Sequence, residues 1–220
     1  GDSRQCGGVG PAAHSGRGAL PVSPVLVRLR KYLLWLLLAA AIHGLAVWAL
    51  PRVVMRGAMS RLVPANNAVK DARVRVFYPP LTTATARQIV LPSPDLAYAL
   101  CVYDLSTGPV DVDAALDWPG YWSVALYADN TDNYFVRNDR VAGARPVRWR
   151  LALREGADTA AATSGAAAAA GRELVWAPSA RGLLLMRVLV ADRHREAAAA
   201  AQAQRELRCV AAPVEDLDLT

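Results

Sequence analysis

Residues 32 to 50 read YLLWLLLAAAIHGLAVWAL, nineteen consecutive positions without a formal charge. Wound as an α-helix, this run spans roughly 28 Å, which matches a bilayer hydrocarbon core of about 30 Å. Trp35 and Trp48 lie toward its two ends, where amphipathic rings settle at the membrane interfaces, and Pro51 is expected to close it. Arg28, Arg30 and Lys31 precede it and Arg52 and Arg56 follow it, flanks that a buried helix of a soluble domain does not usually carry. The run exceeds the apolar core of a cleavable signal peptide, about 7 to 15 residues, and only a weak small-residue site, Gly57-Ala58, follows it. Residues 28–56 therefore read as an uncleaved transmembrane anchor with basic flanks. The nearby basic residues are nearly balanced on the two sides and set no orientation. His43 has no second polar partner in the run, so it reads as a neutral imidazole donating to a backbone carbonyl rather than as a proton relay.

The net charge of +6 over 220 residues suggests a nucleic-acid binder until it is divided along the chain. Residues 1–61 hold eight of the 25 basic residues and one of the 19 acids, which leaves seventeen basic against eighteen acidic residues in 62–220. A nucleic-acid domain carries its positive charge on the folded part, where it neutralises phosphates. No nucleic-acid partner is expected; the first expected partner is the lipid bilayer.

Residues 1–27, with repeated Gly and Pro and scattered Ser, cannot build a core and read as a disordered tail. Residues 57–72 read as a linker. From Arg73 the pattern changes to short runs of β type separated by turn residues. They cover 74–78, 87–90, 98–105, 110–113, 121–127, 134–136, 148–153, 173–176 and 182–190. The last, GLLLMRVLV, is too short to span a membrane and carries Arg187, so it reads as a buried strand. Gly156–Gly171 is low-complexity and reads as a surface loop, and Asp192–Arg208 is periodic as a helix with Asp192 as its N-cap. The fold class is mainly β: an antiparallel β-sandwich or partly open barrel over 73–210 with a C-terminal helix, preceded by one transmembrane helix and followed by an acidic tail over 211–220.

Three segments carry a resemblance. In order they are PDLAY (94–98), YDLSTGP (103–109) and GYWSVALYADNTDNYF (120–135). With them the chain resembles the bacterial domain of unknown function numbered 1254, in its short membrane-anchored form, over roughly residues 30–210. The resemblance implies an extracytoplasmic β-rich domain on an N-terminal anchor, and a companion protein carrying the domain of unknown function numbered 1214. It implies no established reaction. The long N-terminal tail and the alanine-rich insertion near 160 depart from the pattern.

Physically, these segments are rich in turn chemistry: Asp104, Ser106 and Gly108 suit a strand end and a tight turn. Asp129, Asn130, Asp132, Asn133, Asn138 and Asp139 can cap turns or, with Tyr121, Trp122 and Tyr134, line a site for a polar or carbohydrate-like ligand. A calcium loop would need a D-x-[DN]-x-[DN]-G spacing that is not present. Cys101 and Cys209 follow the anchor and can either form one disulfide, joining a strand to a helix end, or remain two buried thiols. His194, between Arg193 and Arg195, has no nucleophile near it in sequence, and Ser123 beside Trp122 reads as a strand residue. The nucleophile-elbow, phosphate-loop, zinc-protease and dinucleotide motifs are absent, so no catalytic residue, metal or cofactor is expected. The expectation is a single-pass protein of the bacterial inner membrane with a periplasmic binding or interaction domain. The alternative is a membrane-bound enzyme acting on a polar or carbohydrate-like envelope substrate.

Overall fold

The longest strand pairing joins two nine-residue runs, Leu96–Asp104 and Arg181–Leu189, antiparallel along their whole length. In this computed structural model, which describes residues 24–62, 73–83, 85, 92–142, 146–154, 164–165 and 167–212, they are β2 and β8 of nine strands. The others are β1 (Val74–Phe77), β3 (Val110–Ala114), β4 (Trp122–Ala128), β5 (Asn133–Asn138), β6 (Val147–Leu153), β7 (Glu173–Ala177) and β9 (Leu207–Ala211). The helices are α1 (Pro24–Leu62), the single turn α2 (Asp139–Ala142) and α3 (Arg193–Arg205). A five-stranded sheet has the order β1-β2-β8-β4-β5 and a four-stranded sheet the order β7-β6-β3-β9. All pairs are antiparallel except β6 with β7, which is parallel. The mainly β architecture agrees with the alternation in the sequence; the parallel pair requires a crossover, which alternation does not encode.

The two sheets close on each other through alternate residues. Ala99, Cys101 and Tyr103 of β2, Val124 and Leu126 of β4 and Leu184 and Met186 of β8 meet Val110 and Val112 of β3 and Trp149 and Leu151 of β6 in one apolar core. Cys101 and Cys209 face each other across this core from β2 and β9, with Cα atoms 6.6 Å apart and their sulfurs within bonding distance. Cys209 thus sits on a strand rather than at a helix end. The helix expected over 192–208 stops at Arg205, and β9 comes next, pairing with β3 from Leu207 to Ala211. Its period of two is only five residues long and directly succeeds an alanine-rich helix, which masks it.

Asp192 caps α3 as expected, accepting from the backbone N–H of His194 (2.9 Å) and Arg195 (3.2 Å). Gln204, expected on the polar side, is instead buried, its amide donating to the carbonyls of Pro79 (2.8 Å) and Tyr98 (2.6 Å). These bonds tie α3 to β2. In the segment expected as a loop, residues 164–165 and 167–169 are helical and Ala167 is buried, so one small side chain is anchored there. The strand expected over 87–90 lies outside the described residues, as do residues 1–23, 63–72 and 213–220.

Helix α1 runs past both of its expected ends: Pro24 to Val27 are helical, Pro51 lies inside it, and it continues to Leu62. Pro51 withholds the N–H that the Val47 carbonyl would accept. Beside it, Arg52 Nη1 donates to the Trp48 carbonyl (2.6 Å), and its guanidinium lies 4.5 Å from the Trp48 ring centroid. Beyond the proline, Met55 and Met59 are buried in a second cluster with Leu100, Val102 and Leu183, on the face of the five-stranded sheet turned away from the core. That burial gives the helix a reason to continue. The large apolar side chains from Val25 to Leu50 are, by contrast, exposed, and among the described residues this helix alone is long and apolar enough to cross a membrane.

The outward face of the four-stranded sheet carries a buried charge network. Asp111 on β3 stands opposite Arg150 on β6 and accepts Nε at 2.8 Å and an Nη at 3.0 Å. Arg172 joins Asp111 at 3.1 Å and Asp113 at 2.9 Å. Asp111 and Arg150 are each 6% exposed, so one carboxylate meets two guanidinium groups away from water. Asp111→Ala is expected to cost about 3–5 kcal/mol in urea denaturation of the detergent-solubilised chain, and Asp111→Leu combined with Arg150→Met is expected to cost less than the single change.

Candidate functional site

The residues expected to form a polar site fall into two groups at opposite ends of β5. Asp129, Asn130, Asp132 and Asn133 make the β4–β5 turn. There Asn130 Oδ1 accepts from the Asp132 backbone N–H (3.2 Å), its amide donates to the Asp132 carboxylate, and the Asp129 N–H donates to Ser179 Oγ (3.1 Å). Thr131 adopts φ +75°, the left-handed geometry this turn demands. At the other end Asn138 Oδ1 caps α2 by accepting from the Val141 N–H (3.1 Å), and Asp139 is the first residue of that turn. Asn138 pairs with Ser123, next to Trp122 and Tyr121. Trp122 is buried in the core, and Tyr121 is partly exposed, its carbonyl accepting from the Leu189 N–H (2.8 Å). Ser123 is buried and accepts from Arg187 Nε (3.2 Å), a hydrogen bond that makes it a partner for a half-buried arginine.

Tyr134 is drawn inward. Its hydroxyl lies 2.7 Å from that of Tyr103, which also donates to the Tyr127 carbonyl (3.3 Å). Tyr103 crosses directly over its strand partner Gly182, where a Cβ would collide with the Tyr103 hydroxyl and ring and with the Tyr127 carbonyl oxygen. Glycine is needed here for the close approach of the ring. Burial pushes the Tyr103 phenol well above its usual range, reinforced by Tyr134; burial also raises Tyr134, to about 12, against the opposing effect of its hydrogen bond with Tyr103.

Two cavities stand out among the described residues. One, of about 330 Å³, is lined by Arg137, Val141, Arg148, Trp149 and Glu173 among others. Arg137 closes its side by donating from one nitrogen, Nη2, to both carboxylate oxygens of Glu173, each contact 2.6 Å, and its guanidinium lies 5.6 Å from the Phe135 ring centroid. The second, of about 350 Å³, lies on the outward face of the five-stranded sheet beside the end of α1. Its walls are Arg56, Met59 and Ser60 of α1, Arg73 and Arg75 at β1, Val102, Tyr103 and Asp104 of β2, and Arg181 of β8. Strand register explains the convergence: Arg75 stands opposite Val102, Asp104 opposite Arg181, and the Asp104 N–H donates to the Arg73 carbonyl (2.8 Å). Arg181 Nε donates to Asp104 (2.8 Å). Burial alone would raise Asp104, but hydrogen bonds from Ser106 and the Arg181 charge outweigh it and hold the carboxyl below its usual value.

Neither cavity was evident in the sequence, because single arginines in separate strands carry no local pattern. Neither gathers Tyr121, Trp122 or the Asp129–Asn133 turn. No group of three metal-binding side chains occurs among the described residues. His194 is exposed at the start of α3 and His43 is exposed on α1.

The family model described as "Protein of unknown function (DUF1254)" matches residues 73–211, more than half of the chain. The chain belongs to the DUF1254 family. No curated protein matches it. Among solved structures the fold is similar to that of the VPA0106 protein from Vibrio parahaemolyticus, at 15% identity and a TM-score of 0.50 over 78% of this chain and 36% of that one. An uncharacterized protein from Burkholderia cenocepacia is similar at 18% identity and a TM-score of 0.40, over 81% of this chain and 42% of that one. This DUF1254 chain therefore spans less than half the length of either.

The tyrosine pair of the DUF1254 domain makes a pH prediction. A phenol whose folded pKa is raised stabilises the fold fully below its unfolded value, about 10, and loses that contribution as pH rises through the folded value. The melting temperature is expected to fall between about pH 10 and 12, and ultraviolet titration of phenolate should show two tyrosines that resist ionisation at pH 11. Tyr103→Phe should remove part of this alkaline loss, at a cost near 1 kcal/mol at neutral pH. Gly182→Ala should destabilise more strongly than Tyr103→Phe, because the added methyl meets backbone as well as the ring.

Proposed function

We propose that this DUF1254 chain is a single-pass protein of the bacterial inner membrane whose β-sandwich lies in the periplasm and acts as a binding module rather than as an enzyme. The observation that carries the location is the Cys101–Cys209 pair, whose sulfurs lie within bonding distance across the two sheets. Such a bond persists in an oxidising compartment, and closing a loop with a sequence separation of 108 would stabilise the domain by about 4–5 kcal/mol in the chain-entropy model. The binding role is supported by the use of the polar side chains: Asp129, Asn130, Asp132 and Asn138 hold turns, and Ser123 holds Arg187.

A companion protein carrying the domain of unknown function numbered 1214 is the proposed partner. Its support is the family resemblance carried by residues 94–98, 103–109 and 120–135. The enzyme reading has one observation in its favour, the cavity where Arg137, Arg148 and Glu173 surround Trp149.

Topology tests the location. Alkaline phosphatase fused after residue 220 is expected to be active in a bacterial host, with a cytoplasm-active reporter silent at the same position; the opposite pattern rejects a periplasmic domain. Non-reducing peptide mapping of protein from that compartment should recover Cys101 and Cys209 in one linked species, and two free thiols would remove the support the cysteines provide.

A further inference from the structure

We infer that the cavity lined by Arg137, Arg148 and Glu173 is a binding site for a small organic acid, whose carboxylate is received by the Arg148 guanidinium. Strand register makes the cavity. β7 begins at Glu173, opposite Trp149, so the first two residues of β6 outrun it and are paired only with β3 among the described residues. Arg137 reaches this gap from β5 of the facing sheet, and Val141 of α2 and Pro146, just before β6, complete the wall. The cavity's charges are not all matched. Glu173, the one carboxylate among the described lining residues, is taken by Arg137 Nη2, 2.6 Å from each of its oxygens. Arg148 is exposed, and among the described residues its side chain has neither a hydrogen bond nor an ion pair. Opposite it on β3, Asp113 is already occupied by Arg172, which binds its two oxygens at 3.0 and 2.9 Å.

The ligand class follows from this balance. A planar guanidinium fork meets the two oxygens of a carboxylate side by side, and one unmatched positive charge suits a monoanion. A phosphate dianion would bring its second charge against the Glu173 carboxylate. Val141 and Pro146 are both exposed and offer apolar surface to the carbon body of the acid. The volume of about 330 Å³ lies at the lower end of ligand-pocket sizes, which limits that body to a small one. The inference names a ligand for the binding role proposed above. It requires neither the periplasmic location nor the partner chain, so a failed topology test would leave it intact, and its own failure would leave the topology standing.

The test titrates the full detergent-solubilised chain with acetate, benzoate and inorganic phosphate at matched ionic strength, with benzyl alcohol as the uncharged counterpart of benzoate. The melting temperature reads all four, and saturation-transfer NMR reads benzoate directly. Benzoate is expected to bind in the millimolar range and to stabilise the chain more than phosphate or benzyl alcohol does. Arg148→Gln is expected to weaken benzoate about fivefold or more, and Arg148→Lys, which keeps the charge but not the paired donors, about twofold or more. Arg140→Gln, a charge change on the α2 turn, should leave binding unaltered. Should Arg148→Gln fail to fold, Arg148→Lys decides. Benzoate bound equally by the wild-type chain and the Arg148 variants would overturn the inference. So would an equal loss in Arg140→Gln, phosphate or benzyl alcohol bound as tightly as benzoate, or no response to either acid at millimolar concentration.

Discussion

Strand β8 lies between β2 and β4, and neither of its faces meets bulk solvent along most of its length. Leu184, Met186 and Val188 point into the sandwich, whereas Leu183 and Leu185 point outward to the cluster that receives Met55 and Met59 from α1. This two-sided burial explains why Gly182–Val190 is apolar almost throughout, a pattern otherwise typical of parallel sheets covered by helices. The same outward face that accepts the end of the helix carries the arginine-lined cavity, while the inward face carries Gly182 and the tyrosine that covers it.

Polar groups are placed so that each apolar layer remains closed. Tyr103 buries its ring, and its hydroxyl reaches the Tyr127 carbonyl and the Tyr134 hydroxyl, so no buried oxygen of the pair is left unbonded. Gln204 satisfies two carbonyls at the seam between α3 and β2. On the outer side of the second sheet, Asp111 is shared between two arginines. These arrangements bear on function because they consume groups that would otherwise be open to a ligand. Four arginines, Arg56, Arg73, Arg75 and Arg181, line the cavity beside the end of α1.

Much of the fold was legible in the residues. Eight of the nine strands coincide with runs that alternate or are bounded by turn residues, and the capping role of Asp192 is evident from its position before a helical period. The ninth was hidden because LRCVA is short and succeeds a run of alanines that reads as helix to its end. The continuation of α1 through Pro51 was not legible either. Proline weakens a helix locally, and only contacts made by Met55 and Met59 beyond it show why the helix persists. The candidate site was read least well, since a cluster in sequence such as Asp129–Asn133 is most simply a turn, and one half of the expected set lies a strand's length from the other.

The sequence by itself determined the apolar span, the β character of the domain after it, the near-neutral charge balance of that domain and the family to which the chain belongs, because composition and period are local properties. Tertiary structure alone decided which side chains meet. Cys101 approaches Cys209 because β2 and β9 sit in opposite sheets with facing registers. Arg56, Arg73, Arg75 and Arg181 converge because an edge strand, the start of a central strand and the last turns of a helix share one face. Such meetings depend on pairing order and register between segments far apart in the chain, and no short stretch of residues carries that information.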